Sequence, residues 1–285
     1  MQKLFSIMFA AALLLAGSAG ATDVVAVLSG DSAPYQEALE GLKAVVGPVD
    51  SATLPSLPAS LSGARVIVTF GSEAALRDYP GSGPLVAALL PDPKVVPHRA
   101  AGVTRVGLPP AAAVLCEKVK SLQPEAGSLA VLNPAGAYGD YLAELKAAGA
   151  AAGLQVQDKK VDSLGDLASK LPPLKGTADA LWVPPDPLFM NPKTFLLITQ
   201  FCRGAGIGLY APVASLAKLG ALAGLAPSFS QQGRAAGTAV QAWLAGSNPG
   251  AWVYSGKVEF TVNKTVAGEL SISGPGMKKA DSVVE

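Results

Sequence analysis

A short apolar run at residues 180–183 constrains the fold more than any other stretch of this chain. The run is continuously apolar and helical patterns flank it on both sides, which is typical of a strand buried in a parallel sheet. Pro184 and Pro185 end it, because proline cannot donate to a sheet ladder. Asp186 therefore lies just beyond the carboxyl end of a strand, where open α/β sheets bind ligands.

The same alternation of strand and helix runs through the chain from residue 23. Strict βα alternation implies parallel sheets with right-handed crossovers. Two successive runs, with a switch near Val103 and another after Pro227, predict an α/β fold of two Rossmann-like lobes joined by a multi-strand hinge. We predict a frayed tail at 274–285, and strands at residues 24–28, 49–54, 65–70, 84–90, 103–106, 128–132, 154–158, 180–183, 207–210, 221–226 and 257–262.

The first residues have the pattern of a secretory signal peptide. Lys3 precedes an apolar block at residues 4–15, and small residues follow up to Ala21. The block is too short to span a membrane, so we predict cleavage after Ala21 and a soluble, exported protein of the periplasm. A lipoprotein would need a cysteine just after the block, and the sequence has none there.

Charge and cysteine content exclude several classes of partner. The chain has 22 basic and 21 acidic residues, and loss of Lys3 with the leader would balance them. Such a balance argues against nucleic acid or an anionic membrane surface as the main partner. Cys116 and Cys202 fit no zinc spacing; buried free thiols and a disulfide both remain open, and we favour the thiols. No metal or cofactor is predicted.

Six segments in order along the chain share the pattern of one protein family. They are VIVTFGSEAA (66–75), PLVAALLPDP (84–93), LAVLNPAGAYGDYLAELKAAGAAAGLQV (129–156), ADALWVPPD (178–186), GALAGLAPSFSQQGRAAG (220–237) and VEFTVNKTVA (258–267). Together they resemble the periplasmic substrate-binding proteins of the ABC-transporter type that includes tryptophan and tyrosine binders. The resemblance implies a type I periplasmic-binding fold.

The resemblance also implies ligand contacts from both lobes. Ser72 meets the ligand from the first lobe, and Asn133 matches an asparagine that opens the second. Asp186 aligns with a carboxylate that takes the ammonium group in amino-acid binders. Ser228 and Phe229 match a crossover where the family often has an acid followed by tyrosine. Three polar groups of the pattern are replaced here, by Gly139, Pro187 and Ser228.

Other candidates come from the residues themselves, each with a structural alternative. Tyr138 follows an Asn-Pro-Ala-Gly-Ala loop at a predicted helix start, where backbone N–H groups can bind an anion, although these are also ordinary turn residues. Tyr210 can line the cleft beside Asp186. Asp186 itself can instead cap a turn before Pro187, and Ser72 can cap the helix that follows it. Trp182 is more typical of the core than of a pocket.

These patterns predict a small-molecule binder that is not an enzyme. We expect it to capture an amino acid or a less polar metabolite between its lobes and deliver it to an ABC permease and its ATPase, as a monomer. We expect the first lobe at 22–104 plus 228–249 and the second at 105–227 plus 250–285. A sensory subunit for a membrane receptor or kinase is the alternative. A hydrolase using the lone His98 is less favoured, since no Gly-x-Ser-x-Gly elbow is present.

Overall fold

The computed structural model describes residues 23–58, 60–90, 102–134, 136–272 and 276–285. The predicted signal peptide and His98 lie outside these ranges. The helices are α1 (Ala33–Val46), α2 (Ser72–Leu76), α3 (Ala112–Leu122), α4 (Gly139–Ala151), α5 (Leu164–Lys170), α6 (Pro187–Met190), α7 (Pro192–Ala205), α8 (Phe229–Leu244) and α9 (Lys264–Glu269).

Strands alternate with these helices along most of the chain. Most strands are buried over more than half of their residues, and four are buried at every residue, as the sequence predicts for parallel sheets covered on both faces. They are β1 (Val24–Leu28), β2 (Asp50–Thr53), β3 (Val66–Phe70), β4 (Leu85–Ala88), β5 (Val103–Pro110), β6 (Ser128–Pro134), β7 (Gln155–Val161), β8 (Ala180–Trp182), β9 (Gly208–Ala211), β10 (Ala223–Ala226), β11 (Trp252–Ser255), β12 (Glu259–Asn263) and β13 (Ser282–Val284).

The strands form two sheets. The first has the order β11-β5-β4-β3-β1-β2 and the second has the order β13-β12-β10-β9-β8-β6-β7. Helices α1 and α8 pack on one face of the first sheet, through a core that includes Val68, Val86 and Val240. We call the first sheet with α1, α2 and α8 the first lobe, and the second sheet with its helices the second lobe.

The described chain passes between the lobes three times: after β5, between β10 and α8, and between β11 and β12. The predicted multi-strand hinge is therefore present. All of β5 and β11 lies in the first sheet, so that sheet extends to Pro110 and includes residues 252–255. These limits lie beyond the residues 104 and 249 at which the sequence placed the lobe boundaries.

Two features of the second sheet differ from the sequence prediction. Strand β10 pairs antiparallel with β12, so this sheet is mixed. The tail predicted to fray instead adds β13, parallel to β12. The Phe260 N–H donates to Asp281 Oδ2 at 2.8 Å, and the hydroxyls of Thr261 and Ser282 lie 2.7 Å apart. These polar contacts hold the tail to the sheet edge.

The start of β8 is fixed by Asp179. Its Oδ2 accepts the N–H groups of Gly127 and Ser128 and the Ser128 hydroxyl, at 2.8 to 2.9 Å. Burial alone would raise the pKa of Asp179, but these hydrogen bonds stabilise the carboxylate and the net pKa is lowered. This aspartate aligns β8 beside β6 at the end of the strand away from Asp186.

Candidate functional site: a cleft between the lobes

A cavity lies between the lobes, where strands of both sheets end. It encloses about 940 Å³ of empty space including its open mouth, and we call it the cleft cavity. Its first-lobe wall comes from α1, the end of β4, β5 and the first turn of α8, and its second-lobe wall from the loops after β8, β9 and β10. The lining residues are Glu37, Leu89, Leu108, Pro185, Pro212, Val213, Ala214, Ser215, Ala226, Pro227, Ser228, Phe229, Gln232 and Glu259.

The start of α8 brings two predicted site residues to this cavity. Ser228 is the N-cap: its Oγ accepts the Gln231 N–H at 3.3 Å, and its own N–H donates to Gln231 Oε1 at 2.9 Å. This reciprocal capping box satisfies two groups at the helix end. Phe229 follows as the first helical residue and leaves 43% of its surface exposed at the cavity. An exposed ring in a cleft offers a stacking surface to a ligand.

Leu89 gives the cavity wall a strained backbone. This residue follows β4, has φ of 55° and is buried at 6% exposure. A positive φ is unfavourable for a residue with a branched side chain, and such strain concentrates at functional sites. Leu89 therefore directs an apolar side chain into the cleft wall at a cost in backbone energy.

Gln232 is a cavity residue that the sequence prediction missed. Its side chain is 2% exposed, and its Nε2 donates to the carbonyl oxygens of Gly107 and Leu108 at 3.0 and 3.4 Å. Its Oε1 is buried and has no hydrogen-bond partner among the residues that the structure describes. A glutamine one turn into a helix is usually a solvated surface residue, so the sequence does not indicate this buried acceptor. It becomes evident only from the packing of α8 on β5.

Asn133 and Tyr138 organise the turn between β6 and α4. Asn133 Oδ1 accepts the Tyr138 N–H at 3.3 Å, and Asn133 Nδ2 lies 3.5 Å from Asp158 Oδ2. Asn133 is 1% exposed, which places it behind the cavity surface. The Tyr138 hydroxyl donates to the Pro185 carbonyl at 3.0 Å. These residues position Pro185, which lines the cleft cavity.

Asp186 performs the turn-capping role that the sequence left as its alternative. Its Oδ1 accepts the Leu188 N–H at 2.9 Å, and the residue is the N-cap of the short helix α6. The carboxylate lies beside Pro185 and is half-buried. Contact between Asp186 and a ligand remains a prediction.

Ser72 and Tyr210 differ from their predicted positions. Ser72 is the first residue of α2 rather than its cap, and Ser29 Oγ accepts the Ala74 N–H at 2.9 Å in that role. Tyr210 is fully buried, with its hydroxyl 2.9 Å from Gln123 Oε1, and burial raises its pKa. It pairs in register with Trp182, so both side chains enter the same core face and neither lines the cleft.

A second cavity lies on the other side of β5. It encloses about 440 Å³ of empty space including its mouth, and Tyr138, Tyr141, Trp252 and Tyr254 contribute aromatic rings to its wall. We call it the aromatic cavity. The Tyr141 ring centroid lies 5.4 Å from that of Trp182 and 5.1 Å from that of Tyr254. Since Tyr141 belongs to the second lobe and Tyr254 to the first, this tilted ring contact joins the lobes.

Electrostatic effects in the aromatic cavity follow from burial. Burial raises the pKa values of Tyr141 and Tyr254, and nearby carboxylates including Glu144 raise them further. The Arg105 guanidinium lies 5.3 Å from the centre of the Trp252 ring, and burial lowers its pKa while Asp140 opposes that shift. The protein thus supplies its own cation to the face of Trp252.

Other candidate chemistry is limited in the described part of the chain. Cys116 and Cys202 are both buried free thiols, and burial raises their pKa values to about 11 and about 12. Across the described ranges, His, Cys, Asp and Glu form no group of three able to hold a metal. Within the same ranges, no helix combines the length and apolarity that a membrane crossing requires.

Two α/β lobes, three chain crossings and a cavity lined from both sides define a binding protein of the type I periplasmic-binding fold. The chain belongs to the family of ABC transporter substrate binding proteins, whose family model matches residues 111–283. No curated protein matches the sequence. The predicted family resemblance and fold class are confirmed.

Solved structures show the same fold. An ABC domain in complex with L-Trp from Streptococcus pneumonia has 20% identity and a TM-score of 0.56, covering 92% of this chain and 100% of its own. A conserved domain protein from Vibrio cholerae has 21% identity and a TM-score of 0.56, covering 92% and 99%. A ligand-free, open substrate-binding protein with adhesive properties from Clostridium difficile has 16% identity and a TM-score of 0.58, covering 92% and 98%.

Proposed function

We propose that this protein captures a small molecule in the cleft cavity and delivers it to an ABC permease and its ATPase. The observation that carries the proposal is the lining of one cavity by both lobes across a three-segment hinge. The part of this cavity that a water-sized molecule can occupy is about 400 Å³, which falls in the range of small-molecule pockets, roughly 300–1,000 Å³. Because each lobe supplies only part of the wall, a ligand that touches both stabilises their approach.

The proposed ligand contacts are Ser228, Phe229, Gln232 and Leu89, all of which line the cavity. Asp186 and Tyr138 support the opposite wall through Pro185, with Asp186 as a further candidate contact. Asn133 acts behind the wall by positioning Tyr138. Ser72 keeps its predicted role only as a first-lobe residue that a ligand reaches when the lobes approach.

The predicted leader at residues 1–21 supports delivery from the periplasm, and the near-zero net charge of the protein argues against a nucleic acid as the ligand. The protein acts as a monomer whose partner is the permease. No step of this cycle requires a chemical change in the ligand, which fits a family of binding proteins rather than enzymes.

Native mass spectrometry of the protein purified from its exporting host tests capture. We expect a co-purified small molecule that is released on unfolding, and a rise in melting temperature when it is added back. Delivery is tested by uptake of that molecule in cells with and without the gene. Uptake that depends on the gene supports transport; binding with unchanged uptake would instead favour the sensory role.

A further inference from the structure

The orientation of the Gln232 amide is set by its neighbours. Its two nearest polar atoms on β5 are the carbonyl oxygens of Gly107 and Leu108, which are both acceptors. Only the NH₂ end of the amide can face them, because rotating it would place Oε1 against two other oxygens. The Oε1 atom must therefore point away from β5, and no described residue donates a hydrogen bond to it there.

An unpaired buried acceptor next to a cavity can bind a ligand that carries a hydrogen-bond donor. Burying a polar oxygen without a hydrogen bond is unfavourable, so native proteins seldom leave one without a role. Gln232 lines the cleft cavity and is 2% exposed. Oε1 is itself closed to solvent in this structure, so a small shift of the Gln232 side chain brings it to a ligand N–H group in the cavity. The hydrogen bond would be stronger if that group carried a positive charge.

Charges around the cavity have one sign among the described lining residues. Glu37 and Glu259 are its charged members, both exposed at the rim, and no lysine or arginine of the described chain lines it. Two carboxylates attract a cation and disfavour an anion entering between them. A ligand carboxylate would find no cationic partner among these residues.

Two places at the cavity where a carboxylate could bind lack a cationic side chain. At the start of α8 the capping box uses the N–H groups of Ser228 and Gln231, and no lysine or arginine among the described lining residues reinforces the remaining N–H groups of this helix end. Beside Pro185, one oxygen of Asp186 accepts the Leu188 N–H, and the group is itself an anion. Neither position offers a free cationic grip on a carboxylate.

Building on the proposed function, we propose that the ligand is a small organic cation: an amine with an apolar body and no carboxylate. Its ammonium N–H donates to Gln232 Oε1, while Glu37 and Glu259 balance its charge. Its apolar body packs against Leu89, Leu108 and the exposed ring of Phe229. A quaternary ammonium does not fit, because it has no N–H to donate.

Matched probes test this assignment with wild-type protein stripped of bound ligand by unfolding and refolding. The indole series is tryptamine, L-tryptophan and indole-3-propionate, which share a ring and differ in amine and carboxylate. Phenyl and branched aliphatic series of the same three types vary the body. By calorimetry we expect at least one amine to bind ten times or more tightly than its amino acid and its acid.

Each alternative result has a definite meaning. An amino acid or acid that binds as tightly as its matched amine overturns the ligand class and leaves the binding function standing. If no probe binds, the co-purified molecule decides: a basic nitrogen without a carboxylate supports the proposal and a carboxylate refutes it. Absence of both a probe and a co-purified molecule would refute the binding function as well.

Variants locate the donor contact. Gln232→Leu should weaken binding of the best amine at least tenfold, whereas Gln241→Leu, the same change on α8 outside the cavity, should leave it unchanged. Glu259→Gln alters an exposed rim residue, so it keeps the fold and should weaken amine binding three- to tenfold while leaving acid binding no weaker. Equal amine affinity in wild type, Gln232→Leu and Glu259→Gln would overturn the proposal.

Discussion

The two cavities that flank β5 differ in what fills them. The aromatic cavity is packed with the protein's own rings, and the Tyr141 hydroxyl donates to the Pro110 carbonyl at 2.9 Å across the hinge. Next to it, Arg105 Nε and Trp182 Nε1 have no hydrogen-bond partner among the described residues, and both side chains pack against rings that line this cavity. The cleft cavity instead has an unpaired acceptor, a strained leucine and an exposed phenylalanine.

This contrast separates a structural junction from a binding site. The rings of Tyr141 and Tyr254 lie tilted against each other with centroids 5.1 Å apart, and this contact holds the lobes together without a ligand. Groups that the fold leaves unsatisfied, such as Gln232 Oε1, gain from a ligand. We therefore expect changes in the aromatic cavity to alter stability and changes in the cleft cavity to alter binding.

The largest expected effect comes from Tyr141→Ala. Removing a ring that is 2% exposed and contacts both Trp182 and Tyr254 leaves a void at the lobe junction. We expect a loss of about 3–5 kcal/mol in the free energy of unfolding, measured by urea denaturation. Tyr141→Phe keeps the ring and should lose only about 1 kcal/mol, for the hydrogen bond to Pro110. Equal losses would show that packing at the junction matters little.

Gly107→Ala should give the next largest loss. A Cβ at this position would overlap the Cδ1 and Cε1 atoms of the Tyr254 ring. We expect overpacking to cost about 1–3 kcal/mol in urea unfolding. Gly139→Ala is the matched control, since its Cβ would meet no atom within 4 Å and alanine favours a helix. A neutral Gly107→Ala would contradict the tight contact between β5 and β11.

Phe229→Ala should weaken ligand binding and leave stability almost unchanged. The ring is 43% exposed, so its loss should change the free energy of unfolding by less than about 0.5 kcal/mol. Affinity for the tightest amine probe should fall about tenfold, which is about 1.4 kcal/mol. Leu164→Ala removes a side chain that is 49% exposed and away from the cavity, and it serves as the control for calorimetry. Unchanged affinity in Phe229→Ala would remove this ring from the site.

The smallest effect concerns alkaline pH. Burial, with Glu144 and Asp140 nearby, raises the pKa of Tyr254 above its ordinary value of 10.0. Above pH 10 the Tyr254 hydroxyl loses its proton in the unfolded chain and keeps it in the folded protein. The free energy of unfolding therefore falls as the pH rises above about 10. Tyr254→Phe should show a shallower decline in urea unfolding between pH 10 and about 11.5. The same pH dependence of the free energy of unfolding in Tyr254→Phe and wild type would show that this hydroxyl is exposed to water in the folded protein.

The strand and helix order could be predicted because buried strands are continuous apolar runs and helices show their own period. Strand β13 could not, because a tail containing Ser282 becomes a strand only through its partner β12. Strand β11 was also missed, since a run as short as Trp252–Ser255 carries little periodic signal. A local sequence pattern does not show which distant strand a segment pairs with.

For the site, the sequence located the right edge of the sheets but not all the right side chains. Two aspartates flank β8, and only the structure shows that Asp179 aligns strands while Asp186 caps α6. Tyr210 was expected in the cleft, but strand register turned it into the core with Trp182. Gln232 could not be predicted from the sequence, because its role depends on the carbonyl groups of β5.

A matched pair of blocking variants tests the central claim most directly. Ala214 lines the cleft cavity and Ala137 lines the aromatic cavity, and each is replaced by tryptophan. Native mass spectrometry of both variants from the exporting host should show the co-purified small molecule in Ala137→Trp and its loss in Ala214→Trp. Retention in Ala214→Trp with loss in Ala137→Trp would place the ligand in the aromatic cavity and contradict our account.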